Sequence, residues 1–167
     1  MDFITSILTI TIRAGTSLTI ATIGEILTER TGILNLGVEG IMLMGALTAF
    51  ATVFYSHSIM LGILAAIAIG GILALLHAFL TTTMRANQVV SGLSITLFGT
   101  GFSSFLGQRL GPESNNFRLV GLRAERILPF APNWVKDIPI LSALLNQDIM
   151  TYFVYLFIPL ARFVLYK

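Results

Sequence analysis

Residues 59–80 read IMLGILAAIAIGGILALLHAFL, a stretch without a single Asp, Glu, Lys or Arg. A helix over these residues is about 33 Å long, enough to cross the roughly 30 Å hydrocarbon core of a bilayer. Backbone amides inside a bilayer have no water to bond with, so a helix is the structure that such a stretch can form there. The stretch therefore predicts a membrane-spanning helix.

The whole chain shares this character, with 55% hydrophobic residues, 11% charged residues and a mean hydropathy of +0.87. Such values lie outside the range of soluble domains. Four other stretches are long and apolar enough to span a membrane: 3–23, 33–55, 89–106 and 149–166. The sequence predicts an all-α, polytopic transmembrane helical bundle of about five spanning helices, in contact with lipid in the cell membrane. The first helix is expected to stay in the protein, because no cleavage site follows it.

Four connections join these spans within a single transmembrane domain over residues 1–167. The connections at 24–32 and 81–88 are polar, and the one at 56–58 is short enough to require antiparallel neighbours. The last, 107–148, holds five of the ten Lys and Arg residues and four of the five prolines. We predict that 107–148 is an extramembranous loop, with a short interfacial helix at 138–145.

Several classes of function lack their motifs. The chain has no cysteine, no His-Glu-x-x-His and no paired carboxylates, so we predict neither a metal site nor a catalytic residue. It has no phosphate-binding Gly-Lys-Ser/Thr loop and cannot hydrolyse ATP by itself. Its basic residues are scattered, which argues against nucleic-acid binding. The pair of glycines at 99 and 101 lacks the third glycine of a dinucleotide fingerprint.

Ionisable residues inside the predicted spans are costly and tend to face a partner or a wet cavity. Arg13 and Glu39 are equally compatible with a structural ion pair and with a place beside a transport path. For His77 we favour a hydrogen-bonded or interfacial histidine. An intramembrane hydrolase using His77 with Ser91 or Ser94 is a further, weaker alternative.

Small residues recur every fourth position in two of the predicted helices, a pattern that favours close helix packing. The third helix carries Gly62, Ala66, Gly70, Ala74 and Ala78. The fourth carries Gly92, Thr96, Thr100 and Ser104. Helix packing is the favoured interpretation of both stripes, and the hydroxyls of the second are suited to bonding across helices or lining a polar path.

Two motifs carry a resemblance to a known family. Residues 24–46 read GEILTERTGILNLGVEGIMLMGA and residues 86–93 read ANQVVSGL. Both resemble the permease subunits of ATP-binding-cassette importers, in the branch of simple-sugar and nucleoside permeases that is related to ribose and branched-chain amino acid permeases. Together with the tail at 152–167, the resemblance covers nearly the whole chain.

The resemblance implies a subunit that forms part of a transmembrane pathway for nucleosides or related small polar solutes such as sugars. It implies a cytoplasmic ATPase that binds the ATP, a second permease subunit and an extracytoplasmic solute-binding protein, with no cofactor in this chain. Five polar residues near expected helix breaks are then candidates to border the solute path: Asn35, Glu39, Asn87, Gln88 and Ser91. The alternative from another class is a small helical membrane assembly protein that transports nothing.

Such permeases are longer and continue into a cytoplasmic segment that docks on the ATPase. We therefore expect this chain to be the N-terminal part of a longer permease, able to insert into the membrane but not to support ATP-coupled uptake alone. The resemblance places Lys167 on the cytoplasmic side and 107–148 outside. The positive charge of 107–148 favours the opposite orientation.

Overall fold

The computed structural model describes residues 2–110, 139–145, 147 and 149–166. Within those ranges every regular element is a helix and no residue is in a strand. The helices are α1 Asp2–Arg30, α2 Val38–Ser56, α3 Ile59–Ala78, α4 Gln88–Leu110, α5 Pro139–Leu145 and α6 Ile149–Tyr166. A π-helical turn, Phe79–Thr83, continues α3.

The apolar helices confirm the predicted fold class. Four are long and apolar enough to cross a membrane: Phe3–Arg30, Val38–Ser56, Ile59–Thr83 and Gln88–Gln108. A shorter apolar helix, Met150–Phe163, lies within α6. The chain is thus an all-α, multi-pass membrane protein with about five spans. The short helix predicted at 138–145 is present as α5, and α6 has the predicted bounds.

Four predicted boundaries are wrong, three of them before α4. Most of the connection placed at 24–32 is helical, because Glu, Leu and Arg are good helix formers and let α1 continue to Arg30. The second span begins at Val38 rather than at 33. The connection at 81–88 is helical through Thr83.

α4 also runs to Leu110, four residues into the predicted loop at 107–148. Much of that loop, residues 111–138, 146 and 148, lies outside the described residues. Its extramembranous position therefore stays a prediction.

The described helices belong to two compact units. The first contains α1 up to Leu27, α5 and α6. In this unit the Thr16 and Thr151 hydroxyl oxygens are 3.5 Å apart. About two turns further along α1 and about three to four turns further along α6, Ile23 packs with Ala161 and Leu165. Because both positions advance together, α1 and α6 run in the same direction, as the first and fifth of five consecutive spans must.

The second unit begins at Thr28 and contains α2, α3 and α4. Gly62 and Gly70, two residues of the small-residue stripe of α3, face α2. A Cβ at Gly62 would clash with the Val53 side chain, and one at Gly70 would touch Ile41 at 3.6 Å. A tight turn after Ser56 allows this antiparallel packing, with Ser58 accepting a hydrogen bond from the Leu61 amide.

Candidate functional site at a helix break

The chain leaves helical geometry between α1 and α2, over residues 31–37, here called the break segment. Gly32 ends α1 with a positive φ of 83°, which glycine adopts without steric cost. The chain is then irregular over 33–35 until the Asn35 Oδ1 accepts a hydrogen bond of 2.9 Å from the Gly37 amide. This Asx-type turn leads directly into α2.

Three carbonyls of the break segment each accept a hydrogen bond from a side chain of another helix. The carbonyl of Gly32 accepts from Gln88, that of Leu34 is bonded to His77, and that of Leu36 accepts from Thr96, at 3.2, 3.2 and 2.8 Å. Side chains of α3 and α4 therefore hold the backbone of the break segment at three points.

Gln88 holds the segment from both of its amide atoms. Its Oε1 accepts a 2.8 Å hydrogen bond from the Leu34 amide, while its Nε2 donates to the Gly32 carbonyl. Backbone groups of a non-helical segment near a membrane need such partners, since each unsatisfied group costs several kcal/mol in hydrocarbon. A single glutamine side chain therefore satisfies a donor and an acceptor of the break segment.

His77 connects three elements and is only 2% exposed. Its Nε2 lies 3.2 Å from the Leu34 carbonyl, and its Nδ1 lies 3.0 Å from the Ser91 hydroxyl oxygen of α4. A carbonyl can only accept, so Nε2 carries the hydrogen, and in the neutral ring Nδ1 accepts from Ser91. The expectation of a hydrogen-bonded histidine is confirmed.

Glycines let α4 approach the break segment and α2. A Cβ at Gly92 would lie 2.7 Å from the Leu36 amide nitrogen, and one at Gly99 would lie 2.5 Å from the Gly40 carbonyl oxygen. Any side chain at these positions would meet backbone atoms, which cannot move aside alone. The helix contact therefore depends on Gly92 and Gly99.

The structure brings three of the five path candidates, Asn35, Gln88 and Ser91, together around the break segment, and a fourth, Asn87, precedes Gln88 at the start of α4. Asn35 and Gln88 bond to the backbone of the break segment, Ser91 bonds to His77, and Asn87 caps α4 by accepting from the Val89 and Val90 amides at 3.0 and 3.2 Å. Caps of this kind stabilise helices by about 1 kcal/mol.

The fifth path candidate, Glu39, lies in the first turn of α2, where the helix dipole favours a negative charge, and its side chain is exposed. Arg13 lies in the middle of α1, in the other unit, and is half-buried. Its ion pair with Glu39 stays a prediction. Among the described residues no group of three or more His, Asp or Glu could hold a metal ion.

Two contributors to the site carry only a weak sequence signal. Thr96 belongs to a stripe of small residues that favours helix packing, yet its hydroxyl donates a hydrogen bond to the Leu36 carbonyl. Gly99 stood out only as part of an incomplete nucleotide motif, yet it meets Gly40. Gly99 follows Gly92 by seven residues, or two helical turns, and this spacing predicts that both glycines lie on one face of α4.

The break segment joins two helices that are each long enough to span a membrane, and side chains of α3 and α4 hold its backbone. Residues 6–160 match the family described as branched-chain amino acid transport system / permease component. The chain belongs to this family. It is a multi-pass protein of the plasma membrane, and since the family consists of transport components rather than enzymes, the hydrolase alternative is set aside.

Three curated relatives are similar to the chain. The "Putative glucose ABC transporter permease protein" of Haloferax volcanii is 36% identical over the whole chain and 50% of its own length. The guanosine permease of Bacillus subtilis is 28% identical over 79% of the chain and 42% of its own length. The nucleoside permease of Lactococcus lactis is 37% identical over 56% and 31%. The chain spans at most about half the length of these relatives. No solved structure matches it significantly.

Proposed function

We propose that the chain is a permease component of an ATP-binding-cassette importer for nucleosides or related small polar solutes such as sugars. The observation that carries the proposal is the break segment, a non-helical connection between two spanning helices that polar side chains of α3 and α4 hold, with the exposed carboxylate of Glu39 in the first turn of the helix that follows. The names of the relatives support the solute class, since glucose, guanosine and nucleosides all present hydroxyl groups.

The hydrogen bonds divide the path candidates into two roles. Four candidates are assigned to shaping the path, because Asn35 and Gln88 bond to the break segment, Ser91 bonds to His77 and Asn87 caps α4. Glu39 is exposed in the first turn of α2, and we assign it to solute contact. A carboxylate accepts hydrogen bonds from two neighbouring hydroxyls, a pattern that ribose and hexoses present.

The remaining parts of the transporter are other chains. In this proposal a cytoplasmic ATPase binds ATP, a second permease subunit completes the path, and an extracytoplasmic binding protein delivers the solute. This chain needs no cofactor of its own. The helical assembly protein without transport remains the competing function.

Replacing one carboxylate tests the solute role. In the assembled transporter built on the complete gene product, Glu39→Gln keeps the shape of the side chain and removes its charge. Hydrogen bonds to charged groups contribute about 1.5–3 kcal/mol, so we expect the half-saturation concentration for uptake of radiolabelled nucleoside or sugar to rise at least tenfold. Glu29→Gln is the matched control, because Glu29 is also exposed but lies before the break. Unchanged uptake by Glu39→Gln at equal membrane abundance would contradict the assignment.

Copurification distinguishes an importer permease from a helical assembly protein that transports nothing. The gene product extracted in mild detergent should bring an ATPase and a permease subunit with it. If neither is recovered under conditions that keep the membrane protein folded, the assembly alternative is favoured.

A further inference from the structure

We propose that His77 is a latch that holds the break segment against α3 and α4 and whose opening frees the end of α2 that carries Glu39. Only the role of the latch in transport rests on the proposed function. Its geometry belongs to the chain itself and can be tested without transport.

The position of His77 differs from that of the other carbonyl donors. Gln88 and Thr96 are both on α4, whereas His77 comes from α3. The same ring is tied to α4 through Ser91. A shift of α3 relative to α4 must therefore break the bond of Nδ1, the bond of Nε2, or both, which makes this one side chain sensitive to the relation of three elements.

The helix around His77 is irregular at the point where movement would be needed. The π-helical turn Phe79–Thr83 starts two residues after it, and the Thr81 hydroxyl donates a 2.8 Å hydrogen bond to the His77 carbonyl. π-helical turns have an extra residue in the turn and occur often at functional sites. α3 therefore ends in a turn that can change its hydrogen-bond register next to the latch.

The hydrogen bonds of His77 are protected from water. His77 is 2% and Ser91 is 6% exposed, so water competes little for either partner. With Nε2 removed, the Leu34 carbonyl keeps no donor from α3, while Gln88 still holds the Leu34 amide. Loss of the latch should thus loosen the break segment locally without separating the helices.

The chain contains no cysteine, so one introduced thiol is the only target of a maleimide in the 167-residue protein. We would measure the rate at which N-ethylmaleimide modifies Leu34→Cys in membranes. The His77→Asn amide can replace Nδ1 but does not reach Leu34, whereas the His77→Gln amide nitrogen falls near Nε2. One lost hydrogen bond corresponds to a change of about fivefold in local opening. We expect labelling about fivefold faster with His77→Asn and within twofold of the parent with His77→Gln.

A second thiol position separates local from general loosening. Tyr55→Cys lies at the far end of α2, where the side chain is 68% exposed, and its labelling should not change in either variant. Equal rates for His77→Asn and the parent, equal acceleration in both variants, or faster labelling at Tyr55→Cys would each overturn the latch. If labelling behaves as expected while Glu39→Gln transports normally, the latch stands and the solute path is misassigned.

Discussion

Gly99→Ala adds one methyl group at the contact between α4 and α2. The new Cβ would lie 2.5 Å from the carbonyl oxygen and 2.6 Å from the Cα of Gly40. Ordinary contact requires the two backbones to separate by roughly 1 Å. That movement would also stretch the 2.8 Å bond from Thr96 to the Leu36 carbonyl beyond hydrogen-bonding distance. Overpacking of this kind costs about 1–3 kcal/mol.

The matched control is Gly101→Ala, two residues further along the same helix, where a Cβ would meet nothing within 4 Å. Both variants gain the helix propensity of alanine, about 1 kcal/mol, so their difference isolates the steric cost. Thermal unfolding in detergent should place Gly99→Ala about 4 to 8 °C below Gly101→Ala for a difference of about 2 kcal/mol. Equal melting temperatures would show that α2 and α4 do not approach as closely as described.

Substitutions at three further positions test the break segment and the start of α4, by thermal unfolding in detergent or by membrane abundance. Asn87→Ala should lose about 1 kcal/mol with the cap of α4, and Asn87→Asp should retain it, because a carboxylate also accepts from the two amides. Gln88→Leu should lose about 2 kcal/mol, since two hydrogen bonds disappear, and a melting temperature equal to that of the parent would show that these two bonds do not stabilise the break segment. Arg85 has a positive φ of 52°, so Arg85→Gly should be at least as stable as the parent and about 1 kcal/mol more stable than Arg85→Ala.

The apolar spans were predictable because hydrocarbon imposes a length and excludes charge. α3 begins at Ile59 and α6 spans Ile149–Tyr166, the bounds that the apolar runs predict. The end of α1 is harder to predict, because charge and helix propensity disagree there. The three charged side chains of residues 24–30 favour a connection outside the bilayer, whereas Glu, Leu and Arg favour a helix, and α1 continues to Arg30.

The candidate site was only partly predictable. The glycine at 37 indicates where a helix can unwind, and the polar residues at 87, 88 and 91 predict a candidate site at the start of α4. Their partners, however, are backbone atoms far away in the sequence: Leu34 is 43 positions from His77 and 54 from Gln88. A backbone carbonyl carries no sequence signal, so a pattern can identify the donors but not their acceptors.

The long separation between donors and acceptors has a consequence for synthesis. The carbonyl of Leu36 lies 60 residues before its donor Thr96. A ribosome adds about 5–20 residues per second, so the break segment must wait roughly 3 to 12 seconds before its last donor is made. Until then its carbonyls depend on water or on the insertion machinery, because exposure to lipid would leave them without partners. The first two spans therefore cannot complete their final structure in lipid as an isolated pair, and the order of translation becomes part of how this membrane protein folds.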